Sequence, residues 1–208
     1  MDKVITEIDN LGVARVTLSN PEKHNAFDDQ IITQLTEAFS AVASNADVRV
    51  MVLGSEGKSF SAGADLDWMK RMANYSYDEN LQDAQALALM LKTLNELPQP
   101  SIARVQGAAF GGAVGLVSCC DMAVAATAAT FSLSEVKIGL VPATIGPYVI
   151  AAIGERAARR YFTTAERFNA QTAKHIGLLS EVIDAEHLDD QVNLLVNALL
   201  ANGPEAIL

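Results

Sequence analysis

The sequence predicts an α/β fold, and three observations carry the prediction. Short β-branched runs alternate with segments whose apolar residues recur at helical spacing. Half of the 208 residues are hydrophobic, enough to bury a substantial core without disulfides or metals. No Ser/Gly/Pro linker, low-complexity tract or fixed-period repeat divides the chain, so one main domain is expected.

Residues 3–9 and 13–18 alternate apolar and polar around Asn10-Leu11-Gly12, which reads as a hairpin. Asp28 is placed to cap a helix carrying Ile32, Leu35, Phe39 and Val42. Residues 48–53 form a β-branched run ending at Gly54, a buried strand after a crossover helix. Leu81, Ala84, Leu87, Ala88, Leu91 and Leu94 mark a second long helix that Pro98 and Pro100 end. Residues 101–105 then form a strand that enters a Gly-rich turn at 107–115, helical as far as Cys120. A strand at 122–126 follows, then turns with short elements over 131–141 and a helix over 155–162. A short strand at 181–183 precedes an amphipathic helix carrying Leu188, Val192, Leu195, Val196 and Leu199. The uncharged run 138–154 is too short to span a bilayer and contains Gly139, Pro142, Gly146 and Pro147, so it reads as buried turns and a core helix.

Charge and special residues exclude several functions. Fifteen Lys and Arg against 25 Asp and Glu give a net charge of -10, which argues against nonspecific nucleic-acid or anionic-membrane binding. An anionic ligand therefore needs a local basic pocket. The opening MDKVITEIDN lacks the pattern of a secretory signal, so an intracellular, cytoplasmic protein is expected. Cys119 and Cys120 are sequence neighbours and read as small buried residues rather than a bridge. His24, His175 and His187 show no metal-ligand spacing, and no metal is expected.

Four segments have the composition of chemistry. The glycines of 107–115, among them Gly111, Gly112 and Gly115, permit close backbone approach and leave free N–H groups at a helix start, suited to a developing negative charge. Read alone, they are better explained as glycines for helix packing. Neither a nucleotide P-loop nor GxGxxG is present. The second segment, Ser59-Phe-Ser-Ala-Gly-Ala-Asp65-Leu66, offers backbone to a ligand, or a tight connection in which Asp65 caps the next helix. In the third, Asn20-Pro-Glu-Lys-His-Asn25-Ala26, Lys23 and His24 are donors on a loop, or simply solvated. The fourth is Glu135, a carboxylate among apolar residues whose pKa should rise, as general acid or base work requires. Its alternative is a helix-start glutamate paired with Lys137 or a backbone N–H. Arg156, Arg159 and Arg160 suit the phosphates of an anionic ligand, an acidic substrate tail, subunit salt bridges or a solvated helix face.

Taken in order, NPEKHNAF, FSAGADL, VQGAAFGGAVGL, CDMAVA, FSLSEVKIGLVPA and IGERAARRYFTTAERF resemble the crotonase family, the enoyl-CoA hydratase/isomerases, over essentially the whole chain. SCCDMAV, LSEVKIGL and IGERAARR look most like its bacterial methylglutaconyl-CoA hydratase-like branch, which acts in leucine or acyclic terpenoid breakdown. The resemblance implies a crotonase-like spiral of β-β-α units with a helical C-terminal region. It implies a core domain over 1–190 and the start of the helical region over 191–208, the remainder being absent from a truncated chain.

It further implies an acyl-CoA substrate, with coenzyme A belonging to the substrate and no other cofactor, and a homotrimer or hexamer. The thioester oxygen would sit between the Ala64 and Gly112 amides, with CoA against Lys23, His24, Ala26, Ala62, Asp65, Leu66 and Gly111. Hydratases of the family generally carry two glutamates, and here the first position is Gly115 and the second is Glu135. The activity that the likeness to the branch implies is addition or removal of water at C2–C3 of an unsaturated acyl-CoA, such as methylglutaconyl-CoA. The alternatives are an enoyl-CoA isomerase with Glu135 as single base, or a noncatalytic acyl-CoA-binding protein. Met69, Met72 and Phe110 are candidate acyl-pocket residues.

Overall fold

A computed structural model describes residues 2–207. In chain order the elements are β1 (Val4–Ile8), β2 (Val13–Leu18), α1 (Asp29–Ser44), β3 (Val50–Ser55), α2 (Leu66–Met72), α3 (Tyr77–Asn95), β4 (Ser101–Val105) and β5 (Ala109–Phe110). They continue as α4 (Gly112–Cys119), β6 (Met122–Ala126), β7 (Thr130–Ser132), α5 (Gly146–Thr164), β8 (Phe168–Asn169), α6 (Ala170–His175), β9 (Glu181–Ile183) and α7 (Leu188–Leu200).

Six strands form one sheet in the order β1-β2-β3-β4-β6-β9, parallel throughout except for the β1–β2 hairpin. A second sheet, β5-β7-β8, pairs β5 with β7 in parallel and β7 with β8 in antiparallel register. The chain thus leaves the large sheet at Val105, adds β5 to the small one and enters α4; β6, β7 and α5 repeat the pattern. These are the expected β-β-α units.

Strand residues alternate between two cores, as period-2 side chains must. Ala14, Val16, Met51, Leu53, Ala103, Val105, Ala123 and Ala125 face α1, α3, α4 and α5. Val13, Val50, Val52, Ile102 and Val124 face α7 through Leu188, Val192 and Val196. Burial on both faces explains why β3 reads as an uninterrupted apolar run, each full side chain contributing about 1.5–3 kcal/mol.

Several boundaries differ from the sequence reading, each for a local reason. The strand expected at 48–53 begins at Val50, because the Val48 amide donates to Asn45 O in the preceding turn (3.1 Å). Gly54 lies inside β3 rather than ending it. The helix expected over 155–162 starts at Gly146, since Pro147 occupies the first turn, where its missing N–H is not needed. Gly154, at φ 76° and ψ 158°, breaks α5 in two. Only the C-terminal part of the α3 stripe is buried, at Met90, Leu91 and Leu94, while Leu81 and Ala84 are exposed. Residues 190 and 191 both lie in α7, whose apolar face covers the sheet. Among the described residues no helix is long and apolar enough to cross a membrane.

Candidate active site

Two loops and a short turn meet at one cavity of about 160 Å³, whose wall includes Ala64, Gly112 and Glu135. The loop before α2 is stitched to the loop before α1. Phe27 N–H donates to Gly63 O (2.7 Å), and Asp65 N–H donates to Phe27 O (2.7 Å). These two bonds form a parallel bridge between Phe27 and Ala64 and leave the Ala64 amide outside it. Gly112 is the first residue of α4, where amides have no acceptor within the helix. Among the described residues neither amide donates to another protein group. Phe27 also connects the two directly: a Cβ on Gly112 would lie 3.0 Å from the Phe27 ring. One residue thus holds one loop by its backbone and abuts the other with its ring.

Asn25 anchors the first loop from beneath. It is fully buried in left-handed conformation (φ 53°), which asparagine tolerates better than most residues. Its Nδ2 donates to Glu56 O and Ser59 O (2.8 and 2.9 Å), and its Oδ1 accepts from Asn20 N (2.9 Å). Asn25 lies within NPEKHNAF, but its anchoring role is not apparent from sequence. Two asparagines bracketing a Pro-containing turn were the available signal.

Glu135 opens a 3-10 turn, Glu135–Ile138, just beyond β7. Gly111 N–H donates to Ser132 O at the end of β7 (2.9 Å), which sets the turn beside the Gly-rich loop. Gly111 adopts φ 54° and ψ −121°, open essentially to glycine alone, and a Cβ there would lie 3.1 Å from Glu135 Oε1. The Glu135 Oε2 atom is buried without a hydrogen-bond partner among the described residues. Burial pushes this carboxyl above the usual glutamate range. Lys137, the partner of the alternative reading, is exposed and makes no ion pair with it.

The remaining expected positions divide. Lys23, His24, Ala62 and Leu66 form an exposed lip, where Ala62 N–H donates to His24 O (2.9 Å) and His24 Nδ1 lies 3.2 Å from Ser59 Oγ. Asp65 is buried and committed to the protein. Its Oδ1 accepts from Asp67 N and Trp68 N (2.9 and 3.0 Å), and its Oδ2 accepts from Lys23 Nζ (3.0 Å). The Trp68 amide first, and Lys23 further, hold its carboxyl below the usual aspartate range, while the Asp65 carboxylate raises the Lys23 ammonium in return. The capping reading of Asp65 is what the structure shows, and Ala26 is likewise buried behind the lip.

Gly115 does not reach the cavity. It lies under Ile145, to whose Cγ2 and Cβ a Cβ at 115 would come within 2.4 and 2.9 Å, and Ile145 forms the wall instead. Met69 and Met72 line the cavity as expected. Phe110 does not; its ring lies under the Arg167 guanidinium, 4.9 Å from the centroid. Arg159 and Arg160 pair with Glu155 and Glu166 on the surface of α5 (2.6 Å each). Trp68, Leu87, Leu140, Val141, Pro142 and Thr144 complete the lining and carried no distinguishing signal in sequence.

Repeated β-β-α units, with two unused amides and one buried acid around a cavity, define a protein of the crotonase fold. The family model for enoyl-CoA hydratase/isomerase matches residues 9–208, and the chain belongs to that family. An enoyl-CoA hydratase crystal structure from Shewanella pealeana superposes with TM-score 0.96 at 43% identity, covering 99% of this chain and 77% of that one. An enoyl-CoA hydratase from Mycobacterium smegmatis gives 0.95 at 32% identity, covering 100% and 80%. The enoyl-CoA hydratase ACTT6 of Alternaria alternata is 34% identical over 196 residues, 94% of this chain and 64% of its own length.

Proposed function

We propose that the protein hydrates the C2–C3 double bond of an enoyl-CoA. The observation that carries this reading is a single cavity lined by Ala64, Gly112 and the unpartnered Glu135. The thioester oxygen accepts hydrogen bonds from the Ala64 and Gly112 amides. As water oxygen bonds to C3, the C2–C3 π pair moves toward C1 and the carbonyl becomes an enolate oxyanion between those donors. Removing one such donor typically costs about 3–4 kcal/mol. The Glu135 carboxylate takes the water's proton and then delivers it to C2, so one acid closes the cycle. The exposed lip of Lys23, His24, Ala62 and Leu66 receives the CoA portion, with Ala26 and Asp65 bonded to Lys23 behind it and Gly111 at the Gly-rich loop beside the acid.

The acyl chain is a finer choice. Resemblance of LSEVKIGL and IGERAARR to the methylglutaconyl-CoA branch supports a branched dicarboxylic chain. The cavity wall, which offers no cation to a second carboxylate among the described residues, supports an apolar one. A homotrimer or hexamer goes with the reading, because Leu140 and Val141 (53 and 81% exposed) leave apolar surface at the cavity for a second copy; the mass in solution reads this out.

One observation favours a second reaction. Gly115 is sealed beneath Ile145, so Glu135 is the only carboxylate of the wall among the described residues. A lone carboxylate suits a 1,3 proton shift, the isomerase reading. Incubation with methylglutaconyl-CoA, 2-butenoyl-CoA and a 3-enoyl-CoA separates them. A new C3 hydroxyl supports hydration, a moved double bond supports isomerisation, and no product with retained CoA binding leaves a noncatalytic binder. Glu135→Gln should lower turnover by about 10²–10⁴-fold while leaving CoA binding within a few-fold. Turnover at the original rate contradicts the assignment.

A further inference from the structure

Resting on the hydratase reading, we propose that Thr144 holds the attacking water opposite Glu135, in the role a second carboxylate would otherwise fill. A water adding to C3 needs both hydrogens engaged if its lone pair is to point at the carbon. Glu135 takes one. The second requires another acceptor on the same wall, where the two free amides are donors and most side chains are apolar.

Among the described lining residues, only Glu135, Thr144 and Trp68 carry a polar side-chain atom able to form a hydrogen bond beyond a thioether. Trp68 is excluded: its Nε1 is a donor only and already donates to Asp83 Oδ2 (3.2 Å). The Thr144 hydroxyl has no protein partner among the described residues and belongs to a residue that is only partly buried, so it is free to bond a water.

Its placement follows from the same packing that excludes a carboxylate at 115. Ile145 is 2% exposed and wedges over Gly115, and Gly146 N–H donates to Pro142 O (2.9 Å). Residues 142–146 are thereby fixed at the start of α5, and Thr144 is carried onto the cavity wall one residue before the wedge. A threonine hydroxyl is too weak an acid or base to move the proton itself. It accepts a hydrogen bond from the water's second hydrogen, while Glu135 accepts the first and passes it to C2. The water oxygen bonds to C3, and the electron pair displaced from C2–C3 returns from the enolate as C2 is protonated.

The test compares Thr144→Val, Thr144→Ser and Glu135→Gln with the unaltered protein in two assays. One is hydration of 2-butenoyl-CoA. The other is exchange of the C2 hydrogens of butanoyl-CoA in D2O, which needs the oxyanion donors and Glu135 but no water at C3. Thr144→Val is expected to lower the hydration kcat by about 10–100-fold, the loss of one hydrogen bond in the transition state. KM and the exchange rate should stay within about threefold. Thr144→Ser should restore hydration. Equal hydration by Thr144→Val, parallel loss of exchange, or no rescue by serine overturns the proposal. If Thr144→Val hydrates normally while Glu135→Gln is inactive, only the Thr144 assignment falls. If the unaltered protein forms no 3-hydroxy product, the hydratase reading falls and the proposal with it.

Discussion

The Glu135 carboxyl keeps Oε2 buried with no hydrogen-bond partner among the described residues, and burial raises its pKa. The folded chain therefore holds this proton more tightly than the unfolded chain does. Stability falls as pH rises from the ordinary glutamate value of about 4.3 through the raised folded value, and the full penalty persists above it. Glu135→Gln should accordingly raise stability at pH 7 by about 1 kcal/mol, roughly 2–4 °C in Tm. Below pH of about 3 the gain should vanish, because the wild-type acid is then neutral in both states. Thermal unfolding of both proteins at pH 7 and near pH of about 3 checks this; a variant less stable at pH 7 contradicts it. The apolar neighbours of Glu135 are legible in sequence. That Lys137 points elsewhere is not, because both pairings have the same spacing and only the turn at Glu135–Ile138 separates them.

At the scale of elements, α4 and the segment leading into α5 decide how many acids the cavity holds. A Cβ at Gly115 would stand 2.4 Å from Ile145 Cγ2. Helix propensity favours alanine over glycine by about 1 kcal/mol, so a net loss on Gly115→Ala reports the clash. We expect Gly115→Ala to destabilise by about 1–3 kcal/mol with Ile145 present, and by less when Ile145 is alanine, which removes Cγ2 but keeps the Cβ 2.9 Å away. Urea unfolding of the four proteins gives the coupling; an equal loss in both backgrounds contradicts the packing account. The elements themselves are largely legible. Asp28 caps α1 by accepting from Ile31 N (2.9 Å), and the Asp65 cap reading is realised at α2. The two-residue strands β5 and β8 and the short α6 are not, being shorter than any periodicity can register. Ile145 is invisible for another reason: nothing local marks an isoleucine as the lid over a glycine thirty residues earlier.

Across the whole molecule, alternating strands and helices announce the α/β class, but not the division into two sheets. That division depends on the chain leaving β4 and β6 for β5 and β7, which residue patterns do not encode and Gly111 and Ser132 hold in place. The same division gathers three segments, distant in sequence, around one cavity: Phe27 with Ala64, Gly112 at the start of α4, and Glu135 beyond β7. Function therefore rests on whether these three segments act on one thioester. Exchange of the C2 hydrogens of butanoyl-CoA in D2O, followed by NMR with the unaltered protein and with Glu135→Gln, asks this without regard to the final product. The account predicts exchange with the unaltered protein and a fall of about 10²-fold or more in the variant. Exchange at equal rates in both, or none in either while acyl-CoA is bound, would contradict it.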